Sequence, residues 1–181
     1  INYTKNEMRK FYNKFAQTYD KGVKSKNILA TKFLLKKIKM DKDAKILDLG
    51  AGSGLSSLPL MEAGYKDITL LDYSKEMLTK ARKKKGLKKC KFILGDISEL
   101  KLKTKYDLIF SVFSFASNSY FNDGEMLILW KKVALYLKPN GIFMMMGNDS
   151  EPPQSTIKKI KSGKYEIISG YKAQWYIGRK N

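Results

Sequence analysis

Seven consecutive residues, Asp48-Leu49-Gly50-Ala51-Gly52-Ser53-Gly54, constrain this chain more than any others. They separate a short apolar run at 45–49, which reads as a strand, from a helical pattern at 55–62. Glycines at such a junction let the backbone approach a ligand closely and take positive φ, and the helix start presents unpaired amide groups. A strand that turns sharply into a helix is the opening unit of a parallel sheet, in which each strand returns through a crossover.

The rest of the chain keeps that alternation. Strand-like runs recur at 67–71, 91–94, 106–112 and 142–146, with helical periodicity at 75–84 and 124–137. Runs such as Leu108-Ile109-Phe110 and Phe143-Met144-Met145-Met146 fit strands buried on both faces, which makes the three methionines core filler. Upstream, Met8, Phe11, Tyr12, Phe15 and Tyr19 share a helical face over 7–19, a second helix is expected over 27–40, and Gly22 between them is where the chain can bend. Trp130 lies on a helical stripe with Met126, Leu129, Val133 and Leu137 and reads as packing. After Gly147 stand 34 residues (181 − 147), so the crossover helix that follows the fifth strand is expected to be short. Pro152 and Pro153 forbid an immediate helix, and a basic segment runs over 155–161. The runs at 165–168 and 174–177 are too close for a crossover and predict an antiparallel hairpin. The fold class is therefore α/β: a Rossmann-like doubly wound sheet, mostly parallel with an antiparallel C-terminal hairpin, helices on both faces. With 181 residues and no repeat or linker, the chain reads as one domain, residues 1–42 a helical cap and 43–181 the α/β core.

Composition removes several chemistries. The chain has no histidine, which excludes a His-dependent triad or zinc site, so no metal is expected. Cys90 stands alone, cannot form an internal disulfide, and reads as a small buried side chain in a reducing cytoplasm. No run approaches the roughly 18 apolar residues of a membrane span, and the first nine residues are too polar for a signal peptide, so a soluble protein with no membrane partner is expected. Lys plus Arg number 36 against 17 Asp plus Glu, a net +19, yet only three are Arg. Phosphate-gripping surfaces usually also use the bidentate fork of Arg. The charge thus reads either as a lysine-rich composition or as a match to an anionic partner. The run Lys83 to Lys85, with Lys88 and Lys89, reads as a solvated helix end.

Spacing separates two cofactor classes. Asp72, closing the second strand, follows Gly50 by 22 residues, about where an acidic residue meets a ribose diol in folds of this winding. A dinucleotide fingerprint would need a third glycine at position 55, which is Leu55. The pattern is D-x-G-x-G-x-G, and with it the chain resembles the class I S-adenosylmethionine-dependent methyltransferases. The resemblance continues in order: Gly95-Asp96-Ile97 looks like the adenine turn, Tyr106-Asp107-Leu108-Ile109-Phe110-Ser111 like the fourth strand, and Leu137-Lys138-Pro139-Asn140-Gly141 like the turn before the fifth. The segment from Phe11 to Asp20 is similar to the N-terminal cap of the small-molecule branch, and the match runs over about 8–147.

The resemblance implies a role for each matching residue. Asp48 would orient the cofactor's amino group, directly or through water, and the backbone of Gly50, Ala51 and Gly52 would contact its methionine part. Asp72 would accept from both ribose hydroxyls. Tyr73 and Met77 would pack on adenine, Asp96 would accept from its amine and the Ile97 amide would donate to the ring. Ser111 would lie beside the sulfonium and Tyr19 would cover it. Read as residues alone, Asp48 also fits a strand-end carboxylate, Asp96 a turn former, and Tyr12 and Tyr19 core packing.

Methyl transfer from a sulfonium is an in-line displacement that proximity and orientation can drive without a covalent nucleophile. No residue stands out as a general base. The acceptor should lie beyond the fourth strand, against Phe113, Phe115, Asn118, Tyr120 and Phe121. Ser111-Val112-Phe113-Ser114 stands where amino-methyltransferases of nucleic-acid bases carry Asn or Asp, Pro-Pro and an aromatic, which disfavours DNA. A small molecule, anionic if the lysines serve it, is the leading acceptor. The alternatives are an RNA or protein methyltransferase using the basic surface, and a noncatalytic domain that binds cofactor or a partner.

Overall fold

The computed structural model describes residues 4–114, 123–147 and 151–180. Helices α1 (Lys5–Phe15) and α2 (Tyr19–Leu35) precede β1 (Lys45–Leu49), α3 (Leu58–Glu62), β2 (Asp67–Asp72), α4 (Lys75–Lys83) and β3 (Lys91–Leu94). Then come β4 (Tyr106–Val112), α5 (Asp123–Tyr136), β5 (Leu137–Gly147), β6 (Ile157–Ile168) and β7 (Tyr171–Lys180). One sheet runs in the order β3-β2-β1-β4-β5-β7-β6, parallel from β3 to β5 and antiparallel through the final hairpin. The order reverses between β1 and β4, and the crevice beyond those strand ends is where such sheets bind ligands.

Two apolar layers flank the sheet. Ala30 and Leu34 of α2, Leu60 of α3 and Leu78 and Ala81 of α4 cover the face carrying Ile46, Leu70, Leu108 and Phe110. Leu129, Trp130 and Val133 of α5 cover the other, against Leu47, Ile109 and Phe143. The methionine run alternates between them, Met144 and Met146 on one side and Met145 on the other, as a doubly buried strand requires. Trp130 meets Phe143 edge-on at 5.4 Å, which is packing.

Several boundaries differ from the sequence reading. The first helix stops at Phe15, and Tyr19 opens a second one that runs unbroken to Leu35. Gly22 is therefore inside α2, and the bend falls at 16–18, where the Thr18 amide donates to the Phe15 carbonyl at 3.1 Å. The aromatic spacing from Phe15 to Tyr19 carries across the break and conceals it. Among the described residues no helix joins β5 to β6; the basic segment is mostly edge strand, where lysine is tolerated because its side chains reach water. The hairpin strands extend well beyond the predicted runs, at Ile157–Ile168 and Tyr171–Lys180. Cys90 is half-buried, and burial pushes its thiol up to about 11. Among the described residues no helix is long and apolar enough to cross a membrane.

Candidate active site

Three post-strand turns are tied together by backbone. The amides of Gly50 and Ala51 donate to the Leu71 carbonyl at 2.9 and 3.0 Å, and the Gly95 amide donates to the Asp72 carbonyl at 3.0 Å. The Gly52 amide donates to Asp72 Oδ2 at 2.7 Å, so the glycine turn holds the carboxylate that closes β2. Gly50 sits at φ +72, and a Cβ there would run into the side chain of Ser114, whose hydroxyl donates to the Gly50 carbonyl at 2.7 Å. Gly52, at φ +53, faces open space instead.

The cavity over these turns is lined from the core by Gly50, Ala51, Gly52, Asp72, Tyr73, Met77, Asp96 and Ile97. The cap contributes Lys5, Met8, Tyr12, Tyr19 and Asn27. Asp72 is 6% exposed; its Oδ1 accepts from the Ser74 amide at 2.8 Å, and burial pushes its pKa up to about 6 against the pull of the backbone donors. Asp96 behaves oppositely. Burial alone would raise it, but the Ser98 hydroxyl and amide at 2.7 and 2.8 Å and the Lys5 ammonium at 3.2 Å hold it below the usual carboxylate range.

Two expected residues lie elsewhere. Asp48 is fully buried on the α3 side of the sheet, where its Oδ2 accepts from the hydroxyls of Ser56 and Ser57 at 2.9 and 2.6 Å, and it does not line the cavity. Its Oδ1 has no partner among the described residues, and burial pushes the carboxyl up to about 7. Ser111 is still inside β4, paired with Met145 and 1% exposed, so its side chain is enclosed by the sheet layer. The strand runs one residue further before the chain turns, and Val112, Phe113 and Ser114 reach the cavity in its place. Phe115, Asn118, Tyr120 and Phe121 lie outside the described residues.

The cap is tethered by polar side chains. Asn13 Oδ1 accepts from the Ser74 hydroxyl at 2.7 Å, Lys80 donates to the Ala16 carbonyl at 2.7 Å, and Lys84 pairs with Asp20 at 2.8 Å. Asp20 in turn accepts from the Ser53 hydroxyl at 2.6 Å, joining cap to glycine turn. Tyr19 meets Tyr12 and Phe15 edge-on at 6.5 and 5.4 Å, and burial raises its hydroxyl above the usual phenol range although a hydrogen bond with Asn27 opposes this. Tyr12 faces Tyr73 at 6.4 Å. Tyr12 and Tyr19 thus pack together and border the cavity.

Lys5 lines the cavity although the sequence does not single it out, and so does Asn27. Asn27 is 5% exposed, and its Oδ1 has no partner among the described residues. The signal was its position: Asn27 precedes Ala30, Thr31 and Leu34 at three-, four- and seven-residue spacing, a polar group on the buried stripe.

A family model described as a methyltransferase domain matches residues 40–176. The chain belongs to this family of class I S-adenosylmethionine-dependent methyltransferases. The methyltransferase domain is 32% identical over 146 residues to the malonyl-[acyl-carrier protein] O-methyltransferase of Priestia megaterium, covering 78% of this chain and 52% of the relative. It is 37% identical over 65 residues to the chloroplastic 2-methyl-6-phytyl-1,4-hydroquinone methyltransferase of Arabidopsis thaliana, covering 35% of this chain and 19% of the relative. It thus spans about half of the first relative's length and less of the second's. Among solved structures, the domain is similar to a chain of the Haloferax volcanii complex between the Trm112 methyltransferase activator and a methyltransferase. The TM-score is 0.75 at 17% identity, over 93% of this chain and 97% of that one. The complex of DhpI with S-adenosylhomocysteine gives 0.72 at 16% identity, over 95% and 94%. These two likenesses are of fold.

Proposed function

We propose that the chain transfers a methyl group from S-adenosylmethionine to a small-molecule acceptor, releasing S-adenosylhomocysteine. The observation that carries this reading is one cavity wall bearing Asp72 at the end of β2 and Asp96 after β3, beneath the turn at 50–52.

The residues fit the cofactor. Asp72 accepts the Gly52 amide at one oxygen and the Ser74 amide at the other, and a carboxylate with about four lone-pair sites keeps capacity for a ribose hydroxyl. The open space over Gly52 leaves room for the methionine part, while Tyr73, Met77, Asp96 and the Ile97 amide suit adenine. When bound, S-adenosylmethionine supplies a methyl group on an already activated carbon. The work left to the chain is to bind, orient and exclude water, and orientation alone supplies roughly 7–11 kcal/mol in well-ordered systems. Tyr19 and Tyr12 close the cavity from the cap, and Val112, Phe113 and Ser114 border its reacting end. Asp48 acts as a positioning residue, fixing Ser56 and Ser57 just after the glycine turn. Residues 1–42 serve as the cap and 43–181 as the core, and the single cysteine supports a reducing, cytoplasmic setting.

Relatives named for malonyl-[acyl-carrier protein] and a hydroquinone support a small acceptor. The test is calorimetric binding of S-adenosylmethionine followed by transfer of its labelled methyl group across a panel of small acceptors. Binding without any transfer would favour the noncatalytic reading. The +19 charge favours RNA as the second acceptor class. On the first reading, generic RNA binds no tighter than the roughly 10⁻⁴ to 10⁻⁶ M of nonspecific contacts at physiological salt. Nanomolar filter binding with a steep salt slope would promote RNA.

A further inference from the structure

A cation outside the set proposed to hold the cofactor rests on the ring of Phe113, a residue that lines the cavity. Lys26, next to Asn27 on α2, holds its Nζ 4.4 Å from the ring centre of Phe113 and 4.6 Å from that of Tyr171. The two rings meet edge-on at 6.2 Å, so the ammonium rests in a corner built by α2, the end of β4 and the start of β7. Phe113 lines the cavity at φ +59, a left-handed conformation that a residue with a β-carbon keeps only when its surroundings fix it. Its amide donates to the Met146 carbonyl at 2.7 Å, which fixes it here.

Among the described residues Lys26 pairs with no carboxylate. Ring faces attract the charge but leave the ammonium's three N–H donors unspent. A lysine that only solvates a surface extends into water; this one is drawn back onto two rings, of which Phe113 lines the cavity. Beside it, the buried and unpartnered Oδ1 of Asn27 offers an acceptor at the same wall. A phosphate would call for several donors or an Arg fork, and this corner supplies one ammonium.

We propose that Lys26, Phe113 and Tyr171 form the anchoring subsite for a small-molecule acceptor bearing a carboxylate. The ammonium pairs with the carboxylate and the Phe113 ring lies against the acceptor's apolar body. The proposal rests on the methyl-transfer reading and names the substrate class for that same site.

The test is an NMR titration of the full chain saturated with S-adenosylhomocysteine. The probes are matched pairs: benzoate and benzamide, phenylacetate and phenylacetamide, glutarate and glutaramide, with phenyl phosphate as a further anion. At least one carboxylate should bind tenfold or more tightly than its amide and shift Lys26, Phe113 and Tyr171. Lys26→Met should abolish that preference and Lys26→Arg keep part of it. Both variants should hold S-adenosylhomocysteine within twofold of the parent, which also reports that they fold. Absence of a carboxylate preference in the loaded parent chain, its survival in Lys26→Met, or tighter binding of phenyl phosphate would each overturn the proposal. Failure of the parent chain to take up S-adenosylhomocysteine would overturn the methyl-transfer reading, and this subsite with it.

Discussion

At one end of the cavity, Gly50, Asp72 and Asp96 stand on three neighbouring turns, each within two residues of a strand end. Backbone hydrogen bonds of 2.9 to 3.0 Å stitch those turns together. Elsewhere around it stand Asn27 of α2 and Phe113, one residue past β4, with Lys26 of α2 and Tyr171 of β7 brought against the Phe113 ring by side-chain contacts. The cap between them is tied by Asn13, Lys80, Asp20 and Lys5, in polar contacts partly open to water. A framework fixed by backbone positions cofactor groups rigidly, whereas tethers each worth about 0–1 kcal/mol permit opening. The difference supports the proposed methyl transfer, in which a cofactor is held and an acceptor admitted.

Among the cavity residues, the largest effect should come from the rigid end. Gly50→Ala combines a left-handed φ with overlap against Ser114 and should cost about 3 kcal/mol of stability in urea unfolding, the scale of strain plus overpacking. Gly52→Ala meets no atom within 4 Å and should cost about 1 kcal/mol from φ alone while still weakening cofactor binding. Equal costs at the two positions would break the claim that Ser114 locks the turn.

Next comes Asp72. Asp72→Ala should weaken S-adenosylmethionine binding by about 1.5–3 kcal/mol in calorimetry, the scale of hydrogen bonds to a charged group; unchanged affinity in a folded variant would remove the ribose assignment. Burial raises Asp72 to about 6 and Asp48 to about 7, from the ordinary carboxylate value of 3.8. Both groups bind more protons folded than unfolded. Their stabilisation is complete below pH about 4 and is lost as pH rises to about 7. The lowered carboxylates Asp20, Asp96 and Asp107 act in the opposite sense, their stabilisation being lost as pH falls below about 4, outside that window. The urea midpoint of the ligand-free chain should therefore fall between pH 5 and 7.5 at an order-of-magnitude level set by these two groups, and Asp48→Asn should flatten the fall.

Smaller effects sharpen the contrast at the cap. Tyr19→Ala should cost about 1 kcal/mol of cofactor affinity, the scale of an aromatic contact. As a packing control away from the cap and the cavity, Trp130→Ala should cost more stability than any of these, about 3–5 kcal/mol, while leaving the affinity of the folded fraction unchanged, because Trp130 packs on Phe143 inside the α5 layer. Smallest is Lys5→Met, about 0.5 kcal/mol or less for a partly exposed pair. It should speed amide exchange in α1, and S-adenosylhomocysteine should slow exchange there in the parent chain. Equal protection of α1 with and without ligand would make the cap a fixed element.

What the sequence determined by itself was the rigid end. The glycine turn, the carboxylates at positions 72 and 96 and the strand pattern were legible because each is a local strand-and-turn signal that one chain displays directly, although the contacts that join the turns span 20 (72 − 52) to 23 (95 − 72) positions. Even there, Asp48 and Ser111 escaped: which face a strand-end side chain takes, and how many residues the strand runs before it turns, is fixed by pairing with β2 and β5. The helix break at 16–18 was hidden because aromatic periodicity continues through it. Only the tertiary structure decided the corner proposed for the acceptor. Phe33 of α2 stacks on Tyr165 of β6 at 3.8 Å and meets Trp175 of β7 at 5.7 Å, drawing the hairpin against α2. Tyr171 thereby reaches Phe113 and Lys26, residues 58 and 145 positions away (171 − 113 and 171 − 26). Such contacts form when a chain closes long loops around a shared apolar core, and no local propensity encodes which side chains then meet.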